Sequence, residues 1–342
     1  MAPKGDNHSV TAPTSQIPLI DLPSSDKENA DLKEASSKMV GALQTSGFLL
    51  VQSPDLGLEL QESALEAASK VLIGDKTKDE ASTRVESVID HPTDPKLYLM
   101  LDSLDDIATK CGGSGNETES SKEEGPITVL TNFWKALEQI KRQILTCLAL
   151  GLELEPDYFV KLHSKNQSAL RLLHYPTLTL KEDESKKEEK SKPNPSDPVI
   201  RCKPHSDYGS ITLLLTDGVP GLQALLQDKW TPVPHVKGAL VVNIGSLLQD
   251  WTNGKLLATL HRVVALPDEM PPSPRTSLAF FADPDPDVSA TLRDPSGMVP
   301  IPSMYKSVAD YIQWRSGGKG RQRSGLAFSE EEEERVKRAR TG

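Results

Sequence analysis

Apolar residues recur with two different periods along this chain, and the change of period divides it. Between Ile127 and Leu150 they fall at 130, 133, 134, 137, 140, 144 and 148, the spacing of one helical face. The spacing predicts a helix that supports a core. Further on, short and partly β-branched apolar runs take over: Ile211 to Leu215, Leu222 to Leu226, Ala239 to Gly245, a segment opening at His261, and Arg275 to Phe281. Such runs predict strands. Asp217-Gly218, Pro220-Gly221, Gly238 and Asn253-Gly254 supply turns between them, and Pro-rich residues 267 to 274 form a loop. Short strands joined in this way predict a mainly β fold with flanking helices, an antiparallel barrel or double-sheet jelly roll with an open mouth.

Composition adds mostly exclusions. The chain has 342 residues, enough for one large core or two small ones, and no internal repeat is visible. Its 49 acidic against 39 basic residues argue against a nucleic-acid partner. No apolar run reaches membrane-spanning length and the polar start has no signal-peptide core, so no membrane partner is expected. Cys111, Cys147 and Cys202 are too few and too scattered for a disulfide framework or zinc site, so a cytoplasmic protein is the default. Cys202 precedes His205 closely enough to line a pocket, although a small buried hydrophobe is the commoner role. Residues 1–16 read as a disordered tail and 316–342 as a charged C-terminal tail. Residues 109 to 125 read as a loop insertion. The Lys/Glu run from Lys181 to Lys192 reads as a solvated excursion, with a lid over a substrate entrance as the other reading.

The candidate chemistry lies among the strands. His205-Ser206-Asp207 is followed by His261, and then by Arg275-Thr276-Ser277. Two imidazoles and a carboxylate are the set that holds non-haem Fe(II) on one face and leaves the other open. Each piece alone is common by chance; order and context give them weight. In extended chain His205 and Asp207 share one side, as do Arg275 and Ser277. A planar guanidinium at 275 can grip a carboxylate through two parallel bonds.

The run from Pro204 to Asp287 resembles the catalytic core of the Fe(II)/2-oxoglutarate-dependent dioxygenases, in the branch that includes isopenicillin N synthase and the plant flavonoid and gibberellin oxidases. The resemblance is carried by Pro-His205-Ser-Asp207-Tyr-Gly-Ser-Ile-Thr-Leu-Leu, Gly221-Leu-Gln, Trp230-x-Pro-Val-Pro, Gly238-Ala-Leu-Val-Val-Asn-Ile-Gly245, Thr252-Asn-Gly254, His261-Arg-Val and Arg275-Thr-Ser-Leu-Ala-Phe-Phe, in the family's order. Upstream, Ile17-Pro-Leu-Ile-Asp-Leu22 is similar to the family's opening strand, and Ser46-Gly-Phe-Leu-Leu-Val51 to the strand after its first helix. Leu173-His-Tyr-Pro176 falls where many members carry Asn-Tyr-Tyr-Pro. The similarity is strongest over 165–287 and loose between 60 and 125.

The resemblance implies a double-stranded β-helix (jelly-roll) core over residues 151–315, preceded by a helical/mixed N-terminal region with support helices over 17–150. It implies His205, Asp207 and His261 as Fe(II) ligands and catalytic centre, and Arg275, Ser277 and Tyr175 as residues that bind 2-oxoglutarate. O2 would complete the chemistry, hydroxylation or desaturation of a small organic molecule with release of succinate and CO2, in secondary metabolism by analogy with the family. Two departures stand out: Leu173 and His174 replace the usual Asn-Tyr, and the loop between His261 and Arg275 is long and proline-rich. The alternatives are an iron oxidase of the isopenicillin N synthase type that uses no 2-oxoglutarate, a non-catalytic small-molecule-binding module, and a zinc hydrolase on the same residues. The substrate is a small molecule of unread identity, and a monomer is the default.

Overall fold

The computed structural model describes residues 17–24, 32–74, 85–87, 96–111, 124–165, 167–177, 198–265, 273–289 and 305–315. The readings of 1–16, 181–192 and 316–342, and most of the prolines between His261 and Arg275, lie outside them.

The first half alternates strand and helix: β1 (Leu19–Asp21), α1 (Lys33–Thr45), β2 (Phe48–Gln52), α2 (Leu58–Ile73), β3 (Glu86–Ser87), β4 (Leu97–Leu101), α3 (Leu104–Cys111), α4 (Pro126–Gly151) and α5 (Tyr158–Lys161). The second half is mostly strand: β5 (Ser168–Tyr175), β6 (Val199–His205), β7 (Ile211–Thr216), β8 (Leu222–Leu226), β9 (Lys229–Pro232), β10 (Ala239–Ile244), α6 (Ser246–Trp251), β11 (His261–Ala265), β12 (Arg275–Ala282) and α7 (Val308–Arg315). Residues 109–111 thus close a helix rather than opening a loop.

The strands form a major sheet in the order β1-β2-β10-β7-β12-β5-β4-β3 and a minor sheet in the order β6-β11-β8-β9. Every pairing is antiparallel except β1 with β2. The jelly-roll expectation holds, and its N-terminal strands extend the same major sheet rather than standing apart.

Period two sorts the major sheet's side chains into two layers. Leu49, Leu172, Leu213, Val242, Leu278 and Phe280 point outward and pack with the helices in one apolar cluster. Their chain neighbours Phe48, Leu50, Leu173, Tyr175, Val241 and Ala279 point inward and meet Leu222, Ala224 and Val263 of the minor sheet in another. Strands covered on both sides are buried throughout: each residue of β5 and β10 is buried. All seven apolar positions read as the face of α4 are buried, with Trp134 edge-on to Phe280 at 5.3 Å. That helix seals the outer layer. The inner layer is where the chemistry-bearing residues collect.

Candidate functional site

His205 ends β6, His261 opens β11, and the two are direct partners across the antiparallel ladder. Asp207 follows two residues after His205, just beyond the strand. One ligand atom from each of the three lies within 4.8 Å of those from the others. The imidazole Nε2 atoms stand 4.0 and 3.9 Å from Asp207 Oδ1.

Each side chain is aimed by a bond at its far end. His205 Nδ1 lies 2.8 Å from the Lys203 carbonyl and His261 Nδ1 lies 3.1 Å from that of Thr259. A carbonyl only accepts, so Nδ1 carries the proton in both rings, and Nε2 of a neutral ring presents its lone pair to the centre. Phe48 packs edge-on against His261 at 5.6 Å. Asp207 Oδ2 accepts from the Thr212 hydroxyl at 2.6 Å and the Asn243 amide at 2.7 Å, which leaves Oδ1 turned toward the imidazoles.

The loop carrying Asp207 is clamped in turn. Backbone N–H groups of Gly245, Ser246 and Leu247, free of helical partners at the start of α6, donate to the carbonyls of Ser210, Asp207 and Tyr208. The two backbones come so close that a Cβ at Gly245 would stand 2.2 Å from the Gly209 carbonyl oxygen. From the far side, Arg315 of α7 donates to the hydroxyls of Ser206 at 2.9 Å and Ser246 at 3.1 Å.

Charge within the cluster follows from this packing. Burial works to raise the Asp207 carboxyl, but the two histidines and the Thr212 and Asn243 bonds outweigh it and hold it below the usual carboxylate value. Burial likewise works against a charged His205, but Cys202, Asp207 and the Lys203 carbonyl carry that imidazole up to about 9. Burial and repulsion from His205 push His261 down to about 4. Without metal, therefore, His205 carries a second ring proton at neutral pH while His261 stays neutral. Cys202, read as a small buried hydrophobe, is only partly buried, packs against the inner cluster and places Sγ 3.9 Å from His205 Nδ1.

A second group stands on the major sheet. Arg275 and Tyr175 are direct cross-strand partners, with the guanidinium 5.7 Å from the ring centroid. Arg275 is 2% exposed; its Nε donates to the Val219 carbonyl at 3.3 Å and its Nη1 to Ser277 Oγ at 3.2 Å. No carboxylate pairs with it among the described residues. A buried cation with unspent donors and no anion is the complement of a carboxylate ligand.

All six residues singled out in the sequence thus fall into two clusters lining one interior. Thr212, Asn243 and Arg201 were not anticipated. Asn243 had a signal, being the one amide in an otherwise apolar strand. Arg201 had none: buried, it donates to the carbonyls of Ser273, Tyr175 and Pro176, tying the end of β5 to the start of β12.

The donor set fits Fe(II): three ligand atoms converge from one side, each held from behind. Comparison with known proteins agrees. Residues 167–284 match the family model of the 2OG-Fe(II) oxygenase superfamily. The chain is 33% identical over 167 residues to the 2-oxoglutarate-Fe(II) type oxidoreductase ppzD of Metarhizium rileyi, covering 46% of this chain and 42% of that protein. It is 26% identical over 298 residues to gibberellin 20 oxidase 2 of Oryza sativa subsp. indica, covering 83% and 72%. The chain thus spans less than half the length of the first of these relatives. In fold it is similar to a full-length Neurospora crassa protein solved in complex with alpha-KG, with a TM-score of 0.67 at 24% identity over 87% of this chain and 95% of that one. It is likewise similar to the dioxygenase for auxin oxidation 1 of Arabidopsis thaliana, with a TM-score of 0.61 at 22% identity over 84% and 100%. The matched segment contains the whole triad together with Tyr175, Arg275 and Ser277, so all six lie in the part of the chain that is similar to the 2OG-Fe(II) oxygenase superfamily.

Proposed function

We propose that this protein is an Fe(II)- and 2-oxoglutarate-dependent dioxygenase that oxidises a small organic molecule, in secondary metabolism by analogy with the family it resembles. His205, Asp207 and His261 hold Fe(II), and Arg275 with Ser277 and Tyr175 holds the distal carboxylate of 2-oxoglutarate. The observation that carries the reading is the pairing of the two clusters: three aimed ligand atoms, and a buried guanidinium with no anion among the described residues, on facing sheets of one interior.

Bound iron and 2-oxoglutarate supply the oxidant, with O2 consumed and succinate and CO2 released as substrate is hydroxylated or desaturated. The chain's own residues do the positioning. Thr212 and Asn243 fix which oxygen of Asp207 faces the metal. The Lys203 and Thr259 carbonyls fix the histidine tautomers. Ser277 accepts a hydrogen bond from Arg275 and has its own O–H to donate to the same carboxylate. The apolar inner layer excludes water, which strengthens the charge pairing at Arg275.

The test is anaerobic addition of Fe(II) and then 2-oxoglutarate to metal-free protein. A visible charge-transfer band is expected, lost in Asp207→Ala through loss of iron. Arg275→Leu should form it only at about 100-fold higher 2-oxoglutarate, since charge-assisted bonds to a buried partner are removed. Iron binding without a band moves the protein to the oxidases that use no 2-oxoglutarate. No iron binding removes the catalytic reading.

A further inference from the structure

Arg171 is a second buried guanidinium on the inner face of the major sheet. It sits in the middle of β5 and is only 7% exposed. Residues 171, 173 and 175 share one side of the strand. Leu173 and Tyr175 belong to the inner apolar cluster, and so does Ala279, the direct partner of Arg171 on β12. Arg171 therefore opens onto the interior that holds the triad and Arg275. Its guanidinium lies 4.2 Å above the ring centroid of Tyr98, another member of that cluster. Among the described residues it makes no hydrogen bond and no ion pair, and its Nε is buried without an acceptor.

A guanidinium taken out of water needs compensation, and the face of one tyrosine returns only part of it. Arg201, also buried on β6, shows the alternative in this same protein, with carbonyl acceptors for both Nη groups. Arg171 has the desolvation without the acceptors. It cannot share the anion of Arg275, because four residues of strand, about 13 Å, separate the two positions. The cross-strand ladder places Arg171 between the row of Arg275 and the row in which Phe281 faces Thr212, the residue that anchors Asp207.

We propose that Arg171 binds a carboxylate on the substrate itself, so that the molecule oxidised is an organic acid with an apolar body. The inference rests on the oxygenase reading of the same site. With one face against Tyr98, the guanidinium presents its planar edge, which matches the two oxygens of a carboxylate. A single guanidinium suits a monoanion better than a doubly charged phosphate. The apolar body follows from the surroundings: Leu173, Val241, Val263, Leu222 and Ala279 line the same interior.

The experiment uses the full chain loaded with Fe(II) and 2-oxoglutarate under nitrogen, titrated calorimetrically with 3-phenylpropanoate, octanoate and dodecanoate and with the primary amide of each. At least one acid should bind about 10- to 100-fold tighter than its amide, the range of a charge-assisted pair. Arg171→Met should erase that preference and leave the 2-oxoglutarate affinity unchanged. Arg171→Lys, which keeps the charge but loses the planar edge, should weaken the acid about tenfold and spare the amide; it serves alone if the Met variant does not fold. Acids no tighter than amides, a preference that survives either substitution undiminished, or loss of 2-oxoglutarate binding in Arg171→Met would each overturn the proposal. Failure of the oxygenase reading is separately visible, as absence of the charge-transfer band in the unsubstituted protein. The acid and amide titration of metal-free protein then still reads Arg171.

Discussion

Asn243 shows how far a single buried amide reaches. With Thr212 it holds one oxygen of Asp207 and so turns the other toward the imidazoles. Asn243→Leu keeps the volume and removes the donor. Iron affinity is expected to fall about 10- to 100-fold, the usual effect of losing an outer partner of a metal ligand. A competition titration against a metallochromic chelator reads it, and an unchanged affinity would show that Thr212 orients Asp207 alone. The histidines make a second prediction. Iron needs both rings neutral, yet His205 is carried up to about 9 while His261 lies near 4. Below about pH 9, then, metal must displace a proton from His205, and close to one proton is released at pH 7, falling toward none above pH 9. Calorimetry in buffers of different ionisation enthalpy counts it. Release independent of pH across this range would contradict the assigned protonation.

At the scale of elements, β6 and β11 bring the histidines together simply by pairing, while the loop carrying Asp207 depends on two further segments. The start of α6 binds its loop through backbone N–H groups, and α7 reaches in with Arg315. Arg315 also lies 5.2 Å from the ring centroid of Tyr208. Arg315→Met should cost about 2–3 kcal/mol, since it removes charge-assisted hydrogen bonds from a buried site and leaves hydroxyls behind. Because those hydroxyls belong to Ser206 and Ser246, the same change should also weaken iron binding. Urea denaturation and the chelator titration together check both, and a loss of stability with iron affinity intact would limit α7 to a supporting role.

Over the whole molecule, acid stability also depends on a group remote from the sheets' interior. His163 is 3% exposed, between the Phe159 carbonyl at 2.7 Å and Ser210 Oγ at 3.0 Å, and burial pushes it down to about 4. The unfolded chain takes up its proton near pH 6.5, whereas the folded chain resists until about 4. The contribution is fully present above pH 6.5 and is lost as pH falls toward 4, on the order of 3 kcal/mol from this group. His163→Gln should reduce the fall of the urea midpoint across that window, and a wild-type slope in the variant would place the acid sensitivity elsewhere.

Much of this was legible in the sequence where one local rule dominated. The helical period of α4, the strands β7, β8, β10, β11 and β12, and the shared sides of His205 with Asp207 and of Arg275 with Ser277 could be read because spacing alone puts such residues on one face. Short elements lacked that signal. β9 and α6 were not assigned, and α2, β3 and β4 lay largely in the stretch where the similarity is loose. Arg171 carried no signal in the sequence; the register put it on the inner face beside Tyr98.

The chain by itself therefore determined which side chains share a face, because strand and helix periods are local properties of the backbone. Only the tertiary structure decided which faces meet, which oxygen of Asp207 is spent on Asn243 and Thr212, and that two buried arginines have no anion among the described residues. Those facts depend on contacts between residues tens of positions apart, which close only when both sheets and the covering helices pack together.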